Sequence, residues 1–403
     1  MKNRQLNHIY PEKRRSTMHP KMTQFLRTII LFPLSIMMGN FTSLSVSEKS
    51  TWSRLLWKAA RNNSFIINKF CGTDQNNVVQ RITELTKTER GDRCIMTLVA
   101  DLVEDGGVGD ARREGMEESM KSYEIDVVVD LMNHGVISEG KLAEQKSIVK
   151  FRETAMDKLG YWLPDRIDQM GFLTMSGISY AFKNDGSARL NSNLPKLAFA
   201  SHVTAPSSKR YRRWSAAQKA LVAGDTTAVD ASDVPTYEML TSMGAYAKDH
   251  YIKPLMAGGK EYYILFVKPG TLKRLKNDPD YKAAVITALP RDLNNPFFTG
   301  ATVTIDGLVI QEHRYVYSTN GAAIKWGDGT VNGTRTLLCG AQALGLADLG
   351  NPDWVEKNFQ YDSQPGINID KMLGLTKPQF FSIYDNSTED FGILAVDHML
   401  DQY

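Results

Sequence analysis

Cysteine is scarce: Cys71, Cys94 and Cys339 are the three in 403 residues. An odd, widely spaced set builds no disulfide framework, and it contains no Cys-x-x-Cys metal clip. It fits assembly in a reducing compartment. The seven histidines include no His-Glu-x-x-His and no close pair, so that zinc-seating spacing is missing. Long apolar runs are also missing. Residues 28–38 are 11 uncharged, mostly apolar residues, well short of the ~20 a membrane span needs. There is no internal repeat and no low-complexity linker. With 42% hydrophobic and 23% charged residues, the chain is neither disordered nor collagen-like. Its length suggests two or three domains of about 150 residues.

Charge is unevenly placed. Residues 1–36 carry seven Lys/Arg against Glu12, a balance of +6, whereas the whole chain carries only +3. The remainder is slightly acidic, and a basic isoelectric point is therefore no argument for nucleic-acid binding. The basic run with residues 28–38 behind it has the size of a signal-peptide core, yet Met37-Met38-Gly39-Asn40 is no small-x-small cleavage site. A surface arm, or a dispensable extension ahead of a start at Met37 or Met38, are the other two readings.

Ser45-Val-Ser-Glu48 has capping-box spacing, and Trp52, Leu55, Leu56 and Ala59 follow on one face of an amphipathic helix. That face packs either on its own domain or, as an arm, on a neighbour. Residues 94–102 and 123–131 alternate as half-buried strands. Between them lies the 18-residue stretch Val103–Met120, with a net charge of −4. Glu104, Asp105, Asp110, Glu117 and Glu118 are among its carboxylates, and Arg112 and Arg113 are its basic residues. Hairpin loops usually have two to five residues, so this is a projecting flap expected to touch something. Residues 140–170 read as one long helix containing Pro164. Beyond residue 230 the pattern is mixed. A helix opens at Asp233-Val-Pro-Thr236, a buried strand covers 260–267, and a helix over 271–288 is interrupted near Asp278-Pro279. Strands flank the Asp306-Gly307 turn over 301–317, and the small apolar stretch 335–348 reads as a packed helix. Residues 377–383 and 390–396 read as a closing strand pair around Asp385-Asn386.

Chemistry is hard to find. Gly177-Ile-Ser-Tyr-Ala181 approximates a nucleophile elbow, with Asp385 and His398 following in hydrolase order. The elbow needs a strand before Ser179, and the pattern there is helical. A secreted or envelope-anchored serine hydrolase is thus an alternative that a strand at that point would favour. Glu104, Asp105 and Asp110 do not match a calcium loop. Neither Gly106–Gly109 nor Gly327–Thr334 has the lysine of a phosphate loop. Lys209-Arg-Tyr-Arg-Arg-Trp214 mixes cations and aromatics and could contact phosphates and bases, which keeps a scaffold or DNA-packaging role as a second alternative. One such cluster in an acidic body reads rather as the exposed start of a helix. No catalytic residue, metal ligand or cofactor is assigned, and the chain points to structure or binding.

Several stretches carry a resemblance in their order and spacing: Thr51-Trp52 through Phe70-Cys-Gly72, Gly91-Asp92, Gly109-Asp110 through Glu117-Glu118, Tyr123 through His134 and Leu159 through Asp168. Lys253-Pro254-Leu255, Gly259 through Pro269, Asn295 through Gly300 and Leu337 through Leu346 continue it. Together they resemble the major capsid proteins of tailed phages, in the branch of Enquatro-like (schitovirus) podoviruses. The resemblance implies an α+β fold of the Hong Kong 97 type. On that pattern 1–36 is a leader outside the fold, 37–90 an N-terminal arm and 91–138 an extended hairpin loop. It makes 139–230 a peripheral domain with a spine helix, 231–350 an axial domain and 351–403 strands returning to the peripheral sheet. It also implies self-assembly through hexamers and pentamers into an icosahedral shell around double-stranded DNA, in the host bacterial cytoplasm. Portal protein, and scaffold or decoration proteins, would be partners, DNA contact would be weak and non-specific, and no membrane would be involved. Glu104, Asp105, Asp110, Arg112, Arg113, Glu117 and Glu118 of the flap, with Trp52, Leu55 and Leu56 of the arm, are the expected intersubunit contacts.

Overall fold

The computed structural model describes residues 44–83, 91–100, 102, 105, 117–140, 150–287 and 303–401. The first part of the chain forms α1 (Val46–Asn63), α2 (Phe65–Phe70), β1 (Cys71–Gly72), β2 (Val79–Ile82), β3 (Arg93–Val99), β4 (Ser122–Val128), β5 (Asp130–Ile137) and α3 (Phe151–Ser176). Then come β6 (Tyr211–Ser215), β7 (Ala220–Ala223), α4 (Tyr237–Asp249), β8 (Leu255–Ala257), β9 (Lys260–Val267), α5 (Pro269–Asn277) and α6 (Pro279–Thr287). The rest is strand: β10 (Val303–Ile305), β11 (Leu308–Glu312), β12 (Gly333–Cys339), β13 (Leu344–Asp348), β14 (Asp353–Phe359), β15 (Gln364–Thr376), β16 (Gln379–Ser382), β17 (Ser387–Asp390) and β18 (Ile393–Met399).

Local chemistry sets the helix ends. At α1 the Glu48 amide donates to Ser45 Oγ (3.3 Å) and the Ser45 amide to the Glu48 carboxylate (2.9 Å), the reciprocal capping box. Asp168 of α3 receives the Ser64 hydroxyl (2.7 Å) and the amides of Phe65 (2.8 Å) and Ile66 (3.1 Å), so α3 caps α2. Lys150 is extended (φ −75°, ψ 114°), and α3 therefore begins at Phe151, later than the expected 140; residues 141–149 lie outside the described ones. The helix runs through Pro164 to Ser176, 26 residues or about 39 Å. It ends where Gly177 turns left-handed (φ 67°), and a Cβ there would lie 2.5 Å from the Thr204 carbonyl oxygen.

Two sheets organise the body. The six-stranded sheet has the order β1-β2-β13-β15-β14, with β5 on the other edge of β15. One of its faces carries α1 and α3: Trp52 stacks on Trp354 (ring centroids 5.8 Å), and His134 stacks on Trp162 (4.2 Å). The Glu356 carboxylate receives two bonds from Arg152 (2.8 and 2.9 Å) and one from the Trp354 indole (2.9 Å). The eight-stranded sheet has the order β10-β11-β9-β12-β18-β6-β7, with β8 on β9. Met239, Leu240, Met243 and Ala247 of α4 and Leu272 and Leu275 of α5 bury against Trp214, Leu265, Val267, Leu338 and Val396 of that sheet.

A buried ion pair within the eight-stranded sheet ties the end of α3 to that sheet. Arg335 of β12 holds Asp397 of β18 through two bonds (2.7 and 2.8 Å), with only 5% and 0% of the side chains exposed. The same guanidinium donates to the Ser176 carbonyl at the end of α3 (2.7 Å) and to the Tyr211 hydroxyl of β6 (3.1 Å). Burial works against the Arg335 charge, but the Asp397 carboxylate more than offsets it, and the pKa is raised.

Several sequence expectations change here. Residues 335–348 form two strands in different sheets instead of one helix. A short, uniformly apolar run buried on both faces has no period to separate strand from helix. The basic cluster is strand β6, parallel to β18, instead of a helix start. The closing pair exists as β16 and β17 around Asp385-Asn386, but Ile393–Met399 crosses to the eight-stranded sheet between β12 and β6. The turn at Asp306-Gly307 joins β10 to β11 as expected, but β11 ends at Glu312.

Removing one partner of a buried pair costs about 3–5 kcal/mol because the other charge stays desolvated. Arg335→Leu is expected to lower the unfolding free energy of the subunit, read from urea denaturation, by that amount, and Arg335→Leu with Asp397→Leu to recover part of it. A loss below about 1 kcal/mol would remove the pair from its joining role.

Candidate functional site

The hydrolase constellation is not assembled. Helix α3 precedes Ser179, whose hydroxyl accepts from the Ala181 amide (3.3 Å). His398 is wholly buried, with Nε2 on Thr336 Oγ1 (2.8 Å) and Nδ1 on the Met399 carbonyl (2.8 Å). Asp385 is taken by His250 Nδ1 (2.7 Å) and Arg210 (3.5 Å). Each member has partners in a different neighbourhood. Among the described residues no three His, Cys, Asp or Glu side chains cluster as metal ligands.

The basic cluster is equally committed inside. Arg210 is fully buried and donates to the carbonyls of Asp390 (3.2 Å) and His250 (2.9 Å). Arg212 bonds the Tyr246 hydroxyl (2.7 Å), and Arg213 pairs with Asp233 (3.2 Å). Cations already bound to carboxylates and carbonyls have little left for phosphates. The exposed-helix expectation missed this because β6 is an interior strand whose neighbours come from residues 220–223 and 395–397.

What remains is surface. The hairpin β3–β4 has an alternating strand, with Cys94, Met96 and Leu98 buried against Ile82, Ala347, Leu349 and Phe391 of the same chain, while Ile95 is 45% exposed. Gly374 of β15 lies so close that a Cβ on it would meet the Val128 carbonyl oxygen at 2.3 Å. The hairpin's base thus belongs to the subunit's own core. Beyond it, Leu102 and Met120 are exposed, as are Asp105 and Glu117 of the flap, and Glu118 is half-buried. Glu104, Asp110, Arg112 and Arg113 lie outside the described residues.

The arm residues divide. Leu56 is 0% exposed within its own subunit and has no free face for a neighbour; Trp52 stacks on Trp354 yet stays partly exposed, and Leu55 is half exposed. Sequence spacing put all three on one face, but which part of that face is covered depends on α3 and β14.

A further surface was not marked by the sequence reading. Opposite the helices, the outer face of β5–β15–β14 carries Leu131, Ile137, Val355 and Phe359, each 41–53% exposed. Strand parity places them there: Leu131 faces Met372, and Val355 faces Asn368, one step out of phase with the buried Ile367 and Ile369. An apolar sheet face of this kind marks a surface that another molecule covers.

A subunit whose polar groups are turned inward and whose sheet face lies open is built as a component of a larger body. Residues 40–401 match the family model described as phage capsid protein. The chain is 48% identical over 363 residues to the major capsid protein of Pseudomonas phage KPP25, covering 89% of this chain and 96% of that one. The chain therefore belongs to the phage capsid proteins, a structural and non-enzymatic family, and is a major capsid component of a phage virion. In fold it is similar to the capsid of Ralstonia phage GP4 (TM-score 0.72, 21% identity, 92% of this chain and 97% of that chain). It is likewise similar to the capsid of cyanophage Pam1 (TM-score 0.62, 18% identity, 90% and 95%). The mixed α+β capsid fold expected from the resemblance is the one observed.

The buried histidines make stability acid-sensitive. Burial holds His398 down to about 4. It does the same to His313, which stacks against both Phe65 (4.2 Å) and Phe172 (4.9 Å) with Arg314, Lys268 and Lys69 nearby. Both bind a proton in the unfolded chain near pH 6.5 but in the folded chain only near 4. Stability is therefore complete above about 6.5 and falls as pH drops towards about 4. The urea midpoint of the subunit should be lower at pH 5 than at pH 7, and His313→Phe should shrink that difference; an unchanged difference refutes the assignment.

Proposed function

We propose that copies of this chain close into hexamers and pentamers of an icosahedral shell that encloses double-stranded DNA. The observation that carries this reading is the open apolar face of β5–β15–β14, which one subunit leaves uncovered beside the root of the hairpin. Shell interfaces of obligate assemblies exceed about 2,000 Å² per contact, and a single chain supplies that area only through surfaces it does not bury itself. In this reading the six-stranded sheet with α1 and α3 is the peripheral domain. The eight-stranded sheet with α4 to α6 is the axial domain around the symmetry centres. The flap residues Glu104, Asp105, Asp110, Arg112, Arg113, Glu117 and Glu118, with Leu55 and the exposed part of Trp52, contact the adjacent copy.

The order of the matching stretches supports the schitovirus branch, and with it assembly in the bacterial cytoplasm alongside portal and scaffold or decoration proteins. The family match begins at residue 40, which supports a leader outside the fold.

Electron microscopy of the purified chain should show closed shells. Replacing 103–118 by Asn-Gly offers a tight two-residue hairpin that keeps the β3–β4 register, with Leu102 opposite Ser119. That variant should keep the cooperative unfolding of the subunit, since Met96 and Leu98 still anchor β3. Its shells should be missing or unstable. Reversing Glu104, Asp105, Glu117 and Glu118 to Lys should act more mildly, at roughly 0.2–1 kcal/mol per rim pair. Shells of normal stability from the Asn-Gly variant would refute the flap's role, and loss of subunit folding would make the flap part of the core.

A further inference from the structure

The buried and half-buried cations Arg81, Arg152, Arg210, Arg213, Arg335, Lys371 and Lys377 all hold carboxylates. Helix α1 carries cations that do not. Its outward side presents Arg54, Lys58 and Arg61, all exposed and at spacings of four and three, with Thr51 and Asn62 beside them. None of the three makes a salt bridge among the described residues; Arg61 only lies over its own Trp57 ring (5.9 Å). The next exposed cation, Lys69, lies over Phe65 (5.0 Å). The one carboxylate of α1, Glu48, is tied into the cap at the far end. The opposite side of the same layer carries Asp353 and Asp370 against Lys357, together with the open apolar face.

We propose that this face of α1 is the inner, DNA-facing surface of the shell, with Arg54, Lys58 and Arg61 forming a stripe for the phosphates of packaged duplex. The inference rests on the shell reading above. Three charges stand along about 10 Å of helix, while B-DNA offers a negative charge every ~1.7 Å of its axis, so a helix laid beside the duplex meets several phosphates. Unpaired Arg and Lys on a convex helix suit backbone contact, which needs charge and no pocket. Leu55 lies about 100° around the helix from Arg54, off the stripe, on the side left for the adjacent copy. The outcome is polarity across the wall: a cationic layer towards the genome, and an apolar, acidic sheet face away from it.

The test titrates the full-length soluble subunit with a labelled duplex of about 30 base pairs between about 50 and 200 mM salt. Arg54→Gln, Lys58→Gln and Arg61→Gln together should reduce the slope of log K against log salt by roughly 0.9 per charge, about 2–3 in all. Lys357→Gln, on the other face, should leave it unchanged. Arg54→Lys with Arg61→Lys should also keep it; if the triple variant misfolds, adding Lys58→Gln to that pair should remove about 1 from the slope. In parallel, a Thr51→Cys chain should react with a bulky maleimide as free subunit and be protected in intact shells. An unchanged slope, or labelling of intact shells, overturns the inference. A triple variant that keeps its slope but no longer forms shells assigns the stripe to a neighbouring copy and also overturns it. Failure of the unmodified chain to form shells refutes the shell reading instead, and the titration of the free subunit still measures the stripe.

Discussion

The contact of Arg335 with Asp397, extended by the bond from Arg335 to the Ser176 carbonyl, is the constraint that fixes the end of α3 on the eight-stranded sheet. Four pieces of chain distant in sequence meet there: the end of α3, β6, β12 and β18. Taking both charges out of water costs several kcal/mol per ion, and the mutual attraction offsets that only where geometry is good and the remaining donors are satisfied. The guanidinium fork meets both conditions, spending two bonds on Asp397 and the others on Ser176 and Tyr211. A lysine, with one point charge and no fork, could not serve all three partners. Apolar packing alone tolerates small slippage, whereas a buried forked pair does not, so α3 is held against the second sheet at one position.

The same device recurs at other junctions. Lys377 and Asp390 are both fully enclosed (2.8 Å). Asp348 is shared by Arg81 (2.6 Å) and Lys371, whose ammonium lies 4.0 Å from the centre of the Trp57 ring. The sheets are apolar within, and charge is concentrated where layers and loops join. Such joints are specific in position as well as hydrophobic.

That internal satisfaction sharpens the meaning of what is left outside. The hairpin base is anchored in the subunit, the sheet face of β5–β15–β14 is not covered, and the stripe on α1 has no counter-charge among the described residues. Buried and exposed apolar residues alternate along the sheets: Leu98 against Ile95 on β3, and Ile369 of β15 against Val355 of the neighbouring β14. Strand alternation is what lets one element serve both core and surface.

The sequence by itself determined the elements with a clean period or a cap. The capping box of α1, strands 93–99 and 122–128, the helix after Thr236, the strand 260–267 and the break at Pro279 were all legible, because each follows from bonds or alternation within a few residues. The order of matching stretches also carried the family. Tertiary structure alone decided the rest. It made 335–348 two strands of different sheets, turned the basic cluster into an interior strand, and enclosed Leu56 while leaving Leu55 half open. Those outcomes depend on partners 60 to 300 residues away, such as Asp397 for Arg335 or Pro352 for Ser53. Burial of a charge or an apolar side chain is a property of what lies across from it, and no local pattern contains that information.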